Sequence, residues 1–287
     1  MITRTKLLFG ILAFFVLNVS GQEFSPEFFV YEWGLRKAQS DEPEYWADLV
    51  EKAGFDGMEL MGLEKADKML PALKKKGLKL YTLYIKIDLD AEVPYDKNLK
   101  DFIRKWNGDV PYIWLHVQSK KFGPSDPAGD QRCVEIVSEL AEFAEPSGLK
   151  LAFYPHINQW LETVSDGVRL AEKIKRDNVG ASFHLAHFLM KDETDKLKEK
   201  LTRAMPYLFL VSINGADDGD THHMEWTRIV QPLGQGSYDV YHVLEILKEL
   251  GYNNPIGLQC YSIEGKAEEF LFGSTATWEN YLRRLNE

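Results

Sequence analysis

The sequence predicts a single α/β domain, a (β/α)8 TIM barrel, on three observations. Strand-like and helix-like hydrophobic patterns alternate along the chain without a break. Glycines stand just past the helices, where left-handed caps are wanted. Polar side chains gather in one strand phase, near the strand ends.

The elements follow in order. Phe28–Trp33 opens as a strand, and Glu44–Ala53 places apolar residues at three- and four-residue spacing before Gly54. Gly57–Met61 is the second strand, followed by helix Ala66–Lys76 and Gly77. Strand Leu80–Ile87 leads to a less regular helix, Asn98–Trp106. Strand Tyr112–Gln118 precedes helix Gln131–Glu145, with Gly148 after it. Strand Leu149–His156 carries Pro155, which stops ladder pairing, and helix Val164–Arg176 follows. Gly180–His184 and Leu208–Asn214 are the sixth and seventh strands, separated by helix Thr194–Met205. The longest connection, Gly215 to Gly236, is of a length associated with functional lids or disorder. Helix Val240–Leu250, Gly251, strand Ile256–Tyr261 and helix Glu268–Leu285 complete the chain.

Residues 1–21 stand apart as a signal peptide, leaving residues 22–287 as the barrel. Arg4 and Lys6 precede an apolar run, Leu7 to Leu17, too short to span a bilayer comfortably. Val19-Ser20-Gly21 then offers small residues for cleavage, so the mature chain is expected to be periplasmic or secreted. No other stretch is apolar enough to span. A net charge of −10 without a basic run disfavours nucleic acid. The two cysteines, Cys133 and Cys260, read as free buried thiols. Nothing in the sequence specifies an oligomeric state.

Six of the seven histidines fall at or just past strand ends: His116, His156, His184, His187, His222 and His223. That distribution points to one polar site. His242 sits on a helix and is expected to face solvent or packing. Alternation within strands sharpens the reading. Ile113, Leu115 and Val117 face the helices, while Trp114, His116 and Gln118 face the barrel axis. Leu151 and Phe153 face out, with Ala152, Tyr154 and His156 inward. Ile256, Leu258 and Cys260 face out, with Gly257, Gln259 and Tyr261 inward. Glu59, Lys86, His184, Ser212 and Asn214 take the inward phase too.

His184 and His187, three apart, are expected to reach one cavity, with His187 in a loop beyond the strand. Two imidazoles from one turn supply half a tetrahedral metal shell, although either could be a hydrogen-bonded structural residue. His156 is the candidate general base and His187 its acid partner, with Lys86 a third catalytic candidate. Glu59 would be a buried carboxylate needing a cation, a metal or a proton, and a salt bridge to Lys86 would also satisfy it. Trp114, Trp160, Trp226, Tyr31 and Tyr84 offer flat faces for sugar C–H groups.

The chain resembles the xylose isomerase-like TIM barrels, the sugar phosphate isomerase/epimerase superfamily, over nearly all its mature length. Four segments carry the likeness: Gly54-Phe55-Asp56-Gly57-Met58-Glu59-Leu60, His184-Leu185-Ala186-His187, Leu233-Gly234-Gln235-Gly236, and Gly251-Tyr252 leading to Gly257-Leu258-Gln259. The resemblance implies a divalent metal held by Glu, Asp, His and Glu at the ends of strands five to eight, the glutamates moving the proton. Tyr154, His184, Ser212 and Gln259 stand at those places here, and only His187 matches a family histidine. A two-glutamate epimerisation is therefore not expected.

The implied activity is proton abstraction beside a sugar carbonyl, assisted by a divalent cation (Mn, Co, Zn, Ni or Mg) on Glu59, His116, His184 and Gln259. Tyr154, Trp114, Asn214 and Trp226 would shape the sugar pocket. Isomerisation or epimerisation is the leading outcome. The alternatives are β-elimination of a 3-keto-glycoside and sugar binding without catalysis. The partner is a small sugar or oxidised glycoside, unphosphorylated given export.

Overall fold

Eight parallel strands close into a barrel in chain order: β1 Phe28–Val30, β2 Gly57–Met61, β3 Lys79–Asp88, β4 Tyr112–Gln118, β5 Lys150–Tyr154, β6 Val179–His184, β7 Leu208–Ile213 and β8 Ile256–Leu258. This computed structural model describes residues 23–287, so the expected signal peptide lies outside the described residues. The helices are α1 Glu32–Leu35, α2 Pro43–Ala53, α3 Ala66–Lys75, α4 Leu99–Lys105, α5 Asp130–Ala144, α6 Val164–Ile174, α7 Leu185–Lys191, α8 Leu197–Ala204, α9 Trp226–Ile229, α10 Val240–Glu249 and α11 Ala267–Asn286. No helix among the described residues is long and apolar enough to cross a membrane.

Strand alternation sorts the side chains into two cores. Ile113, Leu115, Val117, Leu151, Phe153, Ile256 and Leu258 pack between sheet and helices, as their phase predicts. The inward phase builds a separate aromatic plug of Phe29, Tyr31, Tyr81, Tyr112, Trp114 and Tyr154, with Ala152 and Leu210. Burying one large apolar side chain contributes about 1.5–3 kcal/mol, so this plug is a substantial stabilising element. Gly257 makes room for it: a Cβ there would lie 2.7 Å from the Phe29 and Tyr31 rings. Cys133 and Cys260 are both free and buried.

Two strands end sooner than hydrophobicity suggests, each for a side-chain reason. Beyond β1 the chain turns into α1, which takes Trp33 out of the strand. The buried Glu32 carboxylate drives that turn, accepting the Met61 N–H at 2.7 Å and pairing with Lys65 at 2.8 Å and Arg36 at 2.9 Å. Beyond β8, Gln259 Oε1 accepts the N–H groups of Cys260 and Tyr261, both at 2.9 Å, and bends the backbone off the sheet.

The long seventh connection is built structure. Gly215 and Gln231 exchange backbone hydrogen bonds of 2.9 and 2.7 Å, closing the loop at its base. Gly236, at φ 83°, is required there, because a Cβ would lie 2.0 Å from the Ala216 carbonyl oxygen.

Candidate active site

The strand ends surround a cavity of about 290 Å³. Tyr31, Tyr84 and Tyr154 form its aromatic wall, and Glu59, His156, His187 and Gln259 supply its polar groups. Trp33, Met61, Trp226 and Tyr261 make the rim. Trp226 sits edge-on to His187 with centroids 5.7 Å apart, and Tyr261 bridges Trp226 at 5.3 Å and Trp33 at 5.2 Å.

Four of the six strand-end histidines converge. The centroid separations are 5.3 Å for His116–His156, 4.3 Å for His156–His187 and 6.0 Å for His184–His187. His222 and His223 do not join them; both are exposed on the seventh loop, His223 beside Asp220 at 3.0 Å. His242 is exposed on α10 beside Glu245, as its position suggested. His187 lies in the first turn of α7 rather than in a loop, because the helix begins directly after His184. An i, i+3 spacing across a strand-to-helix junction still brings both rings to the cavity side.

The turn after β5 sets the chemistry of two rings. Pro155 ends the strand and Asn158 adopts a left-handed conformation at φ 63°, held by its N–H to the buried Glu162 carboxylate at 3.0 Å. That turn places the backbone N–H and C=O of Ile157 between His187 and His156. His156 Nδ1–H donates to the Ile157 carbonyl at 2.8 Å, which leaves Nε2 with its lone pair. The Ile157 N–H donates to His187 Nδ1 at 3.4 Å, which puts the proton of the neutral ring on Nε2. Burial lowers the pKa of both rings, that of His187 well below its ordinary value, and both are neutral at pH 7.

Glu59 is shifted the other way. Burial raises its pKa to about 8, against the opposing Glu32 N–H, which donates to Oε2 at 2.9 Å. At neutral pH Glu59 is therefore mainly a carboxylic acid on the cavity wall. Its predicted partner, Lys86, does not reach it. Lys86 emerges past the barrel mouth, exposed, 3.8 Å from Asp88.

His184 is committed to its neighbours. Ser182 Oγ donates to the Phe153 carbonyl at 2.8 Å, so it accepts from His184 Nε2–H at 3.3 Å. His184 Nδ1 is then free to accept the Tyr31 hydroxyl at 3.2 Å. His116 stacks on Tyr84 at 5.1 Å, and burial lowers its pKa to about 3.

The expected metal shell of Glu59, His116, His184 and Gln259 is not gathered. Among the described residues no group of three or more His, Cys, Asp or Glu is placed to hold a metal. The strand-end positions implied by the resemblance fare no better as cation donors. Burial keeps the Tyr154 phenol protonated, and Ser212 is a neutral buried hydroxyl. Both His184 nitrogens are engaged, and Gln259 Oε1 serves two backbone N–H groups while its Nε2 donates to Tyr154 Oη at 3.4 Å. With its phenol protonated and its imidazole and amide already engaged, that set leaves a divalent cation too few free donors.

Two of the expected pocket residues lie elsewhere. Trp114 is wholly buried in the plug beneath the floor. Asn214 Nδ2 donates to the carbonyls of Gly215 at 2.8 Å and Ile229 at 2.7 Å, tying the seventh loop. Tyr154 and Trp226 do line the cavity. Trp160 is core, its indole N–H donating to the Asp126 carbonyl at 2.9 Å. Trp33, Met61 and the Ile157 backbone escaped sequence reasoning; the Pro155 stop followed by Asn158 was the available hint of a special turn.

Comparison with known proteins agrees with this architecture. A family model described as xylose isomerase-like TIM barrel matches residues 47–279. The inosose isomerase of Halalkalibacterium halodurans is 25% identical over 235 residues, spanning 75% of this chain and 81% of that protein. The inosose isomerase of Bacillus licheniformis is 26% identical over 234 residues, 75% of this chain and 82% of that one. The solved structure of IolI protein with a bound zinc atom superposes with a TM-score of 0.67 at 21% identity, over 90% of this chain and 98% of its own. The 3-keto-D-glucoside 4-epimerase YcjR of E. coli superposes with a TM-score of 0.71 at 14% identity, over 91% of this chain and 100% of its own. With the closed barrel, its strand-end cavity and a match over most of its length, the chain belongs to the xylose isomerase-like TIM barrel family.

Proposed function

We propose that the protein is an enzyme that abstracts a proton beside the carbonyl of a small sugar, with His156 as base and Glu59 as acid. The observation that carries this reading is the Ile157 backbone, whose C=O leaves His156 Nε2 unprotonated and whose N–H leaves His187 Nε2–H as a donor on the same cavity. The relatives named isomerases and epimerases support the reaction class.

The step balances without a redox partner. His156 Nε2 takes the proton from the carbon next to the carbonyl, and the C–H electron pair becomes the new C=C bond. The carbonyl π pair takes the Glu59 proton, giving an enediol, while His187 Nε2–H supports that oxygen. Return of the proton to the former carbonyl carbon, as the other hydroxyl gives its proton to the Glu59 carboxylate and becomes the new carbonyl, isomerises the sugar. Return to the original carbon after the enediol turns its other face to His156, with the enol proton going back to Glu59, epimerises it. One solved relative carries zinc; among the described residues here no group of three or more His, Cys, Asp or Glu is placed to hold a metal, and no step uses one.

The protonated Glu59 also favours a second reading, elimination from a 3-keto-glycoside. His156 would take the C2 proton, the electron pair would form C1=C2, and the C1–O bond would break as Glu59 protonates the departing oxygen. Incubation of keto-sugars and 3-keto-glycosides in deuterium oxide tests both. Deuterium gained at the carbon beside the carbonyl, or release of free alcohol, supports the reading. Neither, with sugar still bound, would leave the non-catalytic alternative. We further propose export directed by residues 1–21; N-terminal sequencing from the native host should find Gln22 first, and an intact Met1 in the cytosol would refute it.

A further inference from the structure

A second hollow, about 500 Å³, adjoins the main cavity and shares Tyr84 and Met61 with it as a common wall. It lies along the end of β3 and the loop behind it, between Lys86, Asp88, Val93 and Tyr95. Three observations suggest that it holds part of a ligand. The main cavity, at about 290 Å³, is at the lower end of small-molecule sites, which run from roughly 300 to 1,000 Å³, and suits a single sugar ring. Val93, 64% exposed, lines the hollow, and Tyr261, 39% exposed, rims the main cavity; only Phe272 joins them as an exposed large hydrophobic among the described residues. Lys86 and Asp88 then set a polar edge beside that apolar surface, the ammonium reaching only Asp88, at 3.8 Å.

Flat apolar faces with a few polar donors at the margin are the chemistry of a carbohydrate or aryl ring. We propose that this hollow is a second subsite, which holds the ring-shaped aglycone of a glycoside whose sugar ring fills the main cavity. The occupant is committed by continuity: Tyr84 and Met61 line both compartments, so one ligand filling both places one unit on each side of that shared edge. The preferred ligand is then a glycoside rather than a free monosaccharide. This inference rests on the sugar reading above and adds the size of the ligand to it.

The test measures binding without turnover, in the full chain carrying His156→Ala. Dissociation constants of the methyl and phenyl 3-keto-β-D-glucosides are compared by calorimetry. The phenyl compound should bind roughly tenfold more tightly, from burial of its ring on Val93 and Tyr84. Adding Val93→Asp should bring the ratio of the two constants toward unity. Adding Phe272→Asp, exposed on α11 and lining neither hollow, should leave the ratio at its original value. A starting ratio near unity with both compounds bound would overturn the subsite and leave the sugar reading standing. A preference that survives Val93→Asp would also overturn it. Binding of neither compound would remove both the sugar reading and the subsite.

Discussion

His156 and His187, with ring centroids 4.3 Å apart, take opposite tautomers from the backbone of one residue, Ile157, through the N–H and C=O of two successive peptide groups. The carbonyl claims the proton-bearing nitrogen of one ring and the N–H claims the lone pair of the other. Two chemically identical side chains thereby acquire different tasks, as acceptor and as donor.

His156→Ala should keep the fold and slow deuterium exchange by about 10²- to 10⁴-fold, the range for loss of a general base. NMR of the substrate in deuterium oxide reads this directly. Wild-type exchange in His156→Ala, with exchange lost in Glu59→Gln, would transfer the role of base to Glu59.

The pH profile should be a bell displaced at both ends. His156 must be unprotonated, and burial lowers its pKa, so the acid limb should fall below pH 6.5. Glu59 must be protonated, so activity should decline as pH rises through about 8. Glu59→Gln should slow the reaction and abolish the alkaline limb; an alkaline limb unchanged in that variant would show that another group titrates there.

Glu59 should also leave its mark on stability. Its pKa is raised on folding from 4.5 to about 8, so its contribution is fully present below pH 4.5 and is lost as pH climbs through about 8. Measured against Glu59→Gln, the wild-type melting temperature should therefore decline progressively between those limits. A difference independent of pH would mean that the carboxyl is not held protonated.

Chelation separates this site from one organised around a cation. Treatment with EDTA should leave the exchange rate unchanged, and Mn, Co, Zn, Ni or Mg should produce no rise in melting temperature. Loss of activity on chelation, restored by one of these ions, would show that the donors rearrange around a metal.

Much of this was legible because strand alternation is local. The two-residue period that sends Trp114 and His116 inward and Leu115 outward needs no knowledge of the rest of the chain. The same period identified the histidine-bearing strand ends. It did not reveal how far each strand runs, because that depends on distant partners. Glu32 turns the chain after β1 by binding Met61 and Lys65, 29 and 33 residues away. Nor did it show that Asn214, inward by phase, would spend its amide on Ile229, 15 residues later. Lys86 illustrates a further limit: the correct phase at the last turns of a long strand places a side chain beyond the mouth rather than inside it.

The stitched seventh loop has a bearing on traffic. Gly215 and Gln231 pin its base, Asn214 fastens it to Ile229, and Trp226 rests against His187 and Tyr261. A cover tied at this many points is a fixed roof, so opening it would mean breaking several bonds at once. Ligands should therefore come and go along the β3 flank, past Tyr84 and Lys86, and substitutions there should alter arrival and departure rates more than the chemical step.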